Sequence, residues 1–139
     1  MKQTARILTG DNMKKELREK VWKKFGKHCA YCGCKLEYKD MQVDHLVPKA
    51  LCGTDDYDNL MPSCRLCNYH KNTYLIEHYR KQLLLKIDRV KNSNVRLLEQ
   101  YGIIEFNREP VVFYFEKHEA IIVPRAKRWH YNTEKLRSA

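Results

Sequence analysis

The sequence lacks any long apolar run. In 139 residues with a mean hydropathy of −0.70, no stretch approaches the roughly 18 consecutive apolar residues of a membrane-spanning helix. We therefore expect no transmembrane helix. The first twelve residues, MKQTARILTGDN, also lack the apolar core of a signal peptide, so we predict a cytoplasmic protein that is not bound to a membrane.

Internal repeats and low-complexity segments are also lacking, which favours one domain or a small core with an appendage over a repeat architecture. Large aliphatic residues are scarce between positions 29 and 71. That part of the chain would bury little apolar surface by itself. A bound metal commonly stabilises a core this small.

Cysteine is not scarce, and its distribution is uneven. All six cysteines lie between positions 29 and 67, and four of them form the pairs Cys29-x-x-Cys32 and Cys64-x-x-Cys67. Three disulfides are the alternative, but a secreted disulfide scaffold normally has an export signal and cysteines spread along the chain. The two pairs therefore predict a closed, structural zinc site with four thiolate ligands. Cys34 is a bystander thiol or an alternative ligand.

The net charge of +10 lies at the two ends of the chain. Residues 1–28 hold nine basic and three acidic side chains, residues 124–139 hold five and one, and the middle is balanced at thirteen of each. Two solvated ends that aid solubility would explain this, and a basic membrane-surface helix is a minor option. We favour two basic arms that contact a polyanion, because the chain also contains a zinc module.

Apolar periodicity predicts two long helices. In the first helix, which Thr9 or Asp11 would cap, Met13, Leu17, Val21 and Phe25 recur at every fourth position before Gly26. The second helix runs from Ile76 to Val90, and a break at 91–94 separates it from a short helix at Val95–Tyr101. Short strands are predicted at 36–38, 42–44, 103–106, 111–115 and 120–123, and a basic tail from Pro124.

The segment between the cysteine pairs contains residues suited to phosphodiester hydrolysis. His45 can act as a general base, since its ordinary pKa of about 6.5 lies near neutral pH. Asp44 can ligate Mg²⁺ or Mn²⁺ through oxygen, and Asn68 offers a second oxygen ligand. Asn59 can hold the loop that follows His45. Singly, each of these residues is more often a cap or a surface residue. Three of them lie between the two cysteine pairs and Asn68 directly follows the second pair, and this joint placement favours the catalytic interpretation.

The string D-H-x-x-P-x-x-x-x-G-x-x-x-x-x-N-L-x-x-x-C-x-x-C-N-x-x-K runs from Asp44 to Lys71. With the first cysteine pair, it resembles the HNH (His-Me finger) endonuclease family over about a third of the chain. The resemblance implies that His45 is the general base, that Asp44 and Asn68 bind the catalytic metal, and that Asn59 steadies the hairpin loop. Asn68 stands where many members have His, and Cys52-Gly53 replaces a glycine pair.

The resemblance implies an α+β fold. It would comprise a small ββα-metal core with a zinc ribbon-like four-cysteine staple. The apolar periodicity adds an N-terminal amphipathic helix and a C-terminal extension of a helix and short strands. We predict an HNH nuclease domain at 1–91, with its core at 29–75, and an extension at 92–139.

The predicted function is a metal-dependent DNA endonuclease or nickase with structural Zn²⁺ and catalytic Mg²⁺ or Mn²⁺. Double-stranded DNA is the expected partner. The alternative is a zinc-stapled nucleic-acid-binding protein without catalytic activity, which would not explain why Asp44, His45, Asn59 and Asn68 coincide. The expected phosphate contacts are Lys20, Lys24, Arg65, Lys71, Arg125, Lys127 and Arg128.

Overall fold

The computed structural model describes residues 15–90 and 92–121. Its helices are α1 (Lys15–Lys23), α2 (Arg65–Lys71), α3 (Ile76–Val90) and α4 (Ser93–Gln100), and its strands are β1 (Gln42–His45) and β2 (Leu60–Ser63). Short 3₁₀ segments lie at Lys49–Leu51, Tyr57–Asn59 and Tyr114–Ile121. Helices around one two-stranded sheet confirm the predicted α+β class. Within the described ranges, no helix has the length and apolarity needed to span a membrane.

The sheet is an antiparallel hairpin whose strands flank a long loop. Val43 pairs with Pro62, and His45 pairs with Leu60. A fully buried, four-residue run that contains a proline gives no alternating pattern, which explains why β2 was not predicted. The predicted strand at 36–38 is wrong: Leu36 is buried, but 37–41 form a turn in which Glu37 O accepts bonds from Asp40 N and Met41 N.

The predicted amphipathic helix α1 is present, and its apolar face packs on β2 of the hairpin. Val21 is buried on the helix, Phe25 is buried in the turn that follows it, and Gly26 in that turn has a φ of +62°. On the same helix, Trp22 Nε1 donates to Leu36 O at 2.8 Å and Arg18 donates to Met41 O at 2.6 Å. These bonds fix the 36–41 turn against α1. The predicted caps Thr9 and Asp11 lie outside the described residues.

Helices α3 and α4 lie close to their predicted positions. The bounds of α3 agree with the prediction, and α4 begins two residues earlier because Asn92 Oδ1 accepts a bond from Val95 N at 3.0 Å. Gly102, with a φ of +68°, follows α4. The helical half of the predicted C-terminal extension is therefore confirmed.

The strands predicted at 103–106 and 111–115 are wrong, since the described chain forms no strand there. Phe113 and Phe115 are buried in an aromatic cluster with Tyr31 and Tyr79. Phe115 N donates to Ala30 O at 2.7 Å, so this segment runs beside the loop of the first cysteine pair, residues 29–32. Alternating burial against a loop gives the same sequence pattern as a strand. Of the strand predicted at 120–123, the first two residues are in the 3₁₀ segment and the rest lie outside the described residues.

The guanidinium of Arg80 on α3 joins the C-terminal segment to the core. It forms ion pairs with Glu77 and Glu116 and lies 4.7 Å from the ring centroid of Phe113. Phe113 and Phe115 belong to the same buried cluster as Leu60 and Met61 of the hairpin. The division of the chain at 91/92 stays a prediction.

Candidate active site and cysteine cluster

Cys29, Cys32, Cys64 and Cys67, which we call the cysteine cluster, come together as predicted. Their four Sγ atoms all lie within 4.8 Å of one another, and the Sγ atoms of Cys32 and Cys64 are 3.9 Å apart. A tetrahedral zinc ion with Zn–S bonds of 2.3 Å would separate its sulfur ligands by roughly 3.8 Å. The donor set and spacing therefore fit zinc. All six cysteines are free thiols, which disfavours the disulfide alternative.

Within the cluster, the environment favours the thiolate at Cys29. The pKa of Cys32 is raised by burial, and that of Cys67 is raised by its hydrogen bond to Cys29. The Cys67 thiol donates to Cys29 Sγ and, against the effect of burial, lowers the pKa of Cys29 to about 4, with help from the backbone N–H of Cys64. Cys67 N also lies 3.4 Å from Cys64 Sγ. Backbone donors aimed at sulfur are what a thiolate ligand requires. Cys34 is exposed and lies outside the cluster.

Asp44 lies on β1 with its carboxylate buried against α2. Both donors that reach it contact the same oxygen: the Tyr31 hydroxyl donates to Oδ2, and Lys71 Nζ lies 2.9 Å from Oδ2. No described residue donates to Oδ1. Burial raises the pKa of Asp44, although Lys71 and Tyr31 oppose the shift. A buried carboxylate with one uncommitted oxygen is a suitable ligand for a divalent cation.

The predicted phosphate contact of Lys71 is wrong. Its side chain is 0% exposed, and Nζ also donates to His45 O at 2.9 Å. Lys71 follows Asn68 by three positions on α2, so both residues face the same side of the helix. That side contacts β1. The lysine therefore fixes Asp44 and the backbone of His45 from within the core.

His45 is positioned by a residue that the sequence patterns did not single out. Its Nε2 lies 2.8 Å from Asp55 Oδ1, and the other oxygen of Asp55 pairs with Lys49. Burial opposes the shift, but hydrogen bonds from Lys49 and His45 hold the pKa of Asp55 below its ordinary value. The loop contains three acidic residues, Asp55, Asp56 and Asp58, and no spacing rule distinguishes among them.

Asn59 ties together the hairpin loop, which we define as residues 46–59. Its Oδ1 accepts from Val47 N at 2.9 Å, and its Nδ2 donates to Val47 O at 3.1 Å and to Thr54 O at 2.8 Å. Gly53 makes this closure possible, because a Cβ there would lie 1.7 Å from Val47 O. Asn59 thus holds the beginning and the middle of the loop beside His45.

The other predicted DNA contacts have different environments. Lys20 and Arg65 are exposed. Lys24 Nζ instead donates to Tyr57 O at 2.7 Å and Leu60 O at 2.9 Å, and burial lowers its pKa to about 8. Lys24 therefore holds the end of the hairpin loop, and its role as a phosphate contact stays a prediction. Arg125, Lys127 and Arg128 lie outside the described residues.

A sequence model described as "HNH endonuclease" matches residues 29–84. The chain is also 41% identical over 44 residues to the CRISPR-associated endonuclease Cas9 of Corynebacterium diphtheriae, covering 31% of this chain and 4% of that protein. It is 42% identical over 55 residues to the Septu protein PtuB of Bacillus thuringiensis, covering 33% and 20%. The chain thus spans a small fraction of the curated relatives it matches.

A solved structure of the Type II-C Cas9 enzyme from Actinomyces naeslundii aligns with a TM-score of 0.46 and 25% identity, over 58% of this chain and 8% of that one. By the family match and the two curated relatives alone, residues 29–84 are similar to the HNH endonuclease family. This similarity supports a nuclease function. Both the cysteine cluster and the Asp44–His45 dipeptide lie inside the matched segment.

Proposed function

We propose that this protein is a metal-dependent DNA endonuclease or nickase in which His45 is the general base. The observation that carries the proposal is the position of His45 at the end of β1, next to the buried Asp44 carboxylate with its uncommitted oxygen. Hydrolysis of a phosphodiester needs a base for the attacking water and a cation for the charge that develops on phosphate. The Asp44–His45 dipeptide provides the base and one oxygen ligand side by side.

Asp44 Oδ1 and the side-chain oxygen of Asn68 are the groups that would hold Mg²⁺ or Mn²⁺. Carboxylate and amide oxygens are the ligands that these ions prefer. When bound, the ion would stabilise charge on the phosphate and on the departing 3′ oxygen. Lys71 holds Asp44 in place through Oδ2, which leaves the ligand oxygen free.

His45 would take the proton of the attacking water at Nδ1, because Nε2 is already bonded to Asp55. In-line attack then leaves a 5′-phosphate and a 3′-hydroxyl, as the family resemblance implies. One such site cuts one strand at a time, so we propose nicking as the elementary activity. Lys20, Arg65 and the basic tail residues Arg125, Lys127 and Arg128 are the proposed phosphate contacts.

The cysteine cluster is proposed to bind structural Zn²⁺ without taking part in the reaction. Four thiolates close the coordination shell and leave no position for substrate. Cys64 caps the N-terminus of α2, since its sulfur accepts from Cys67 N. Zinc at this point would therefore fix the helix that bears Asn68 and Lys71.

A supercoiled plasmid assay tests the proposal. We expect nicking in Mg²⁺ or Mn²⁺, none in EDTA, and a loss of about 100-fold or more in His45→Ala, because general-base catalysis contributes about 10²- to 10⁴-fold. His78→Ala is the matched control, since His78 is exposed on α3. Full activity of His45→Ala at unchanged zinc content would refute the mechanism, and intact DNA in both metals would refute the function.

A further inference from the structure

We propose that Asp55 is a positioning residue that sets the tautomer and orientation of His45, an inference that rests on the proposed function. The Asp55 Oδ1 atom lies 2.8 Å from His45 Nε2. An ionised carboxylate only accepts hydrogen bonds, so the ring must carry its proton on Nε2. Nδ1 is then left with a free lone pair, which is the form that a general base requires.

The carboxylate of Asp55 is itself fixed. Its second oxygen, Oδ2, pairs with Lys49, which lies one residue after Pro48 at the start of the first 3₁₀ turn. Each Asp55 oxygen thus has its own donor, and the side chain cannot turn without losing one of them. His45 is 17% exposed and Asp55 27% exposed, so the pair is only partly shielded from water. A carboxylate held in one orientation fixes the His45 ring more firmly than a carboxylate that can rotate.

Asp55 differs from its acidic neighbours in what it contacts. The Asp56 side chain accepts from Thr54 Oγ1 at 2.8 Å, and Asp56 itself directly precedes the second 3₁₀ turn. Asp58 is exposed and contributes its backbone oxygen to the Lys24 ammonium. Among the described acidic residues of the loop, Asp55 is the one bonded to the imidazole.

The closure of the hairpin loop places Asp55 beside His45. Asn59 bonds to Thr54 O, immediately before Asp55, and to Val47, two residues after His45. The side chain of Asn59 therefore bonds to the backbone directly before Asp55 and two residues after His45, and so holds both residues in place. Since the orienting carboxylate is on this pinned loop, Asn59 acts on the base through Asp55 as well as through the backbone.

A double-mutant cycle on single-strand nicking tests whether Asp55 acts through His45. Asp55→Ala should lower kcat by about 10- to 100-fold, as removal of an orienting partner commonly does, with little change in KM for DNA. Asp55→Asn keeps an acceptor oxygen and should lose less. In the His45→Ala background, Asp55→Ala should change residual Mn²⁺-supported cleavage by less than about twofold, because residues that act as a unit are not additive. Asp58→Asn, which removes the same charge from the same loop, should leave kcat unchanged.

An equal loss in both backgrounds, or wild-type kcat in Asp55→Ala, would overturn the inference. Calorimetric titration with Mn²⁺ tests whether Asp55 acts as a metal ligand instead. The Asp55→Ala variant should bind Mn²⁺ as tightly as the wild type. Weaker binding would make Asp55 a metal ligand and would also overturn the positioning role.

A readout independent of cleavage separates this inference from the proposed function. Long-range ¹H–¹⁵N spectra distinguish the protonated from the unprotonated ring nitrogen of His45. We expect an Nε2–H tautomer in the wild type at pH 8 and a mixture in Asp55→Ala. If the wild type cuts no DNA, the proposed function fails, while these spectra still decide the pairing. An unchanged His45 spectrum in Asp55→Ala would refute the proposal that Asp55 sets the tautomer of His45.

Discussion

The cysteine cluster and the hairpin site, by which we mean Asp44, His45 and the residues that hold them, differ in how the chain builds them. Each cysteine pair of the cluster is formed within a single turn, because its two cysteines are separated by two residues. The fold then has only to bring the two pairs together. The hairpin site depends on a strand, a fourteen-residue loop and a helix that meet at Asp44 and His45. One region consists of four cysteines that could hold one zinc ion, and the other depends on a set of individually different polar contacts. The cluster should therefore control whether the domain folds, and the polar contacts should control how well it works.

Disruption of the cysteine cluster should have the largest effect. Cys64→Ala, or removal of zinc by a chelator, should abolish cooperative unfolding of the domain, since structural zinc contributes roughly 10–16 kcal/mol in small zinc-binding peptides. Circular dichroism melts with zinc analysis of the same sample measure this. Cys34→Ala is the matched control because Cys34 is an exposed thiol outside the cluster, and its melting temperature should stay near that of the wild type. Equal loss of stability in both variants would contradict the assignment of a structural zinc site to the cysteine cluster.

Removal of the buried ammonium beside Asp44 should have the next largest effect. Lys71→Met leaves Asp44 without its counter-charge, and breaking a buried pair in this way typically costs about 3–5 kcal/mol in the free energy of unfolding. Urea denaturation measures it. Adding Asp44→Asn to Lys71→Met should recover part of that loss.

Lys23→Met is the control, because the Lys23–Glu19 pair lies on the exposed surface of α1, and it should change stability little. A Lys71→Met variant as stable as Lys23→Met would show that the Asp44–Lys71 pair does not hold the hairpin to α2.

Blocking the closure of the hairpin loop should have a smaller effect on stability. In Gly53→Ala, the new Cβ would collide with Val47 O and push the loop away from His45, at a cost of about 1–3 kcal/mol for overpacking. Nicking should fall more than stability does, since the displaced loop contains Asp55. Gly102→Ala is the control, because its Cβ meets nothing within 4 Å and only the left-handed φ opposes it. Equal nicking by both variants would contradict this account of the loop.

Local patterns predicted much of the fold. Helix α3 and its bounds follow from three-and-four spacing of apolar residues, and the cysteine spacing predicted the cluster. The patterns failed where tertiary contacts outweighed local preference. Pro62 and the lack of an alternating pattern concealed β2. Phe113 and Phe115 alternate because they pack beside the loop of the first cysteine pair.

The candidate site was predictable to a lesser degree. The motif from Asp44 to Lys71 indicated the base and the proposed ligands, whose catalytic roles stay proposals. It could not show that Lys71 turns inward to Asp44, since a lysine in a basic chain equally suits a phosphate. Nor could it select Asp55 from three acidic residues, because that choice depends on how Gly53 and Asn59 close the loop.

The separation of a structural zinc site from a catalytic site is tested most directly by zinc content and plasmid nicking, measured on one preparation of Asn68→Ala. Asn68 directly follows Cys67 but lies outside the cysteine cluster. We expect one zinc per chain, as in the wild type, with nicking in Mg²⁺ reduced by about 100-fold, the size expected for loss of a group that stabilises transition-state charge. Loss of zinc together with nicking, or undiminished nicking at full zinc content, would contradict the separation.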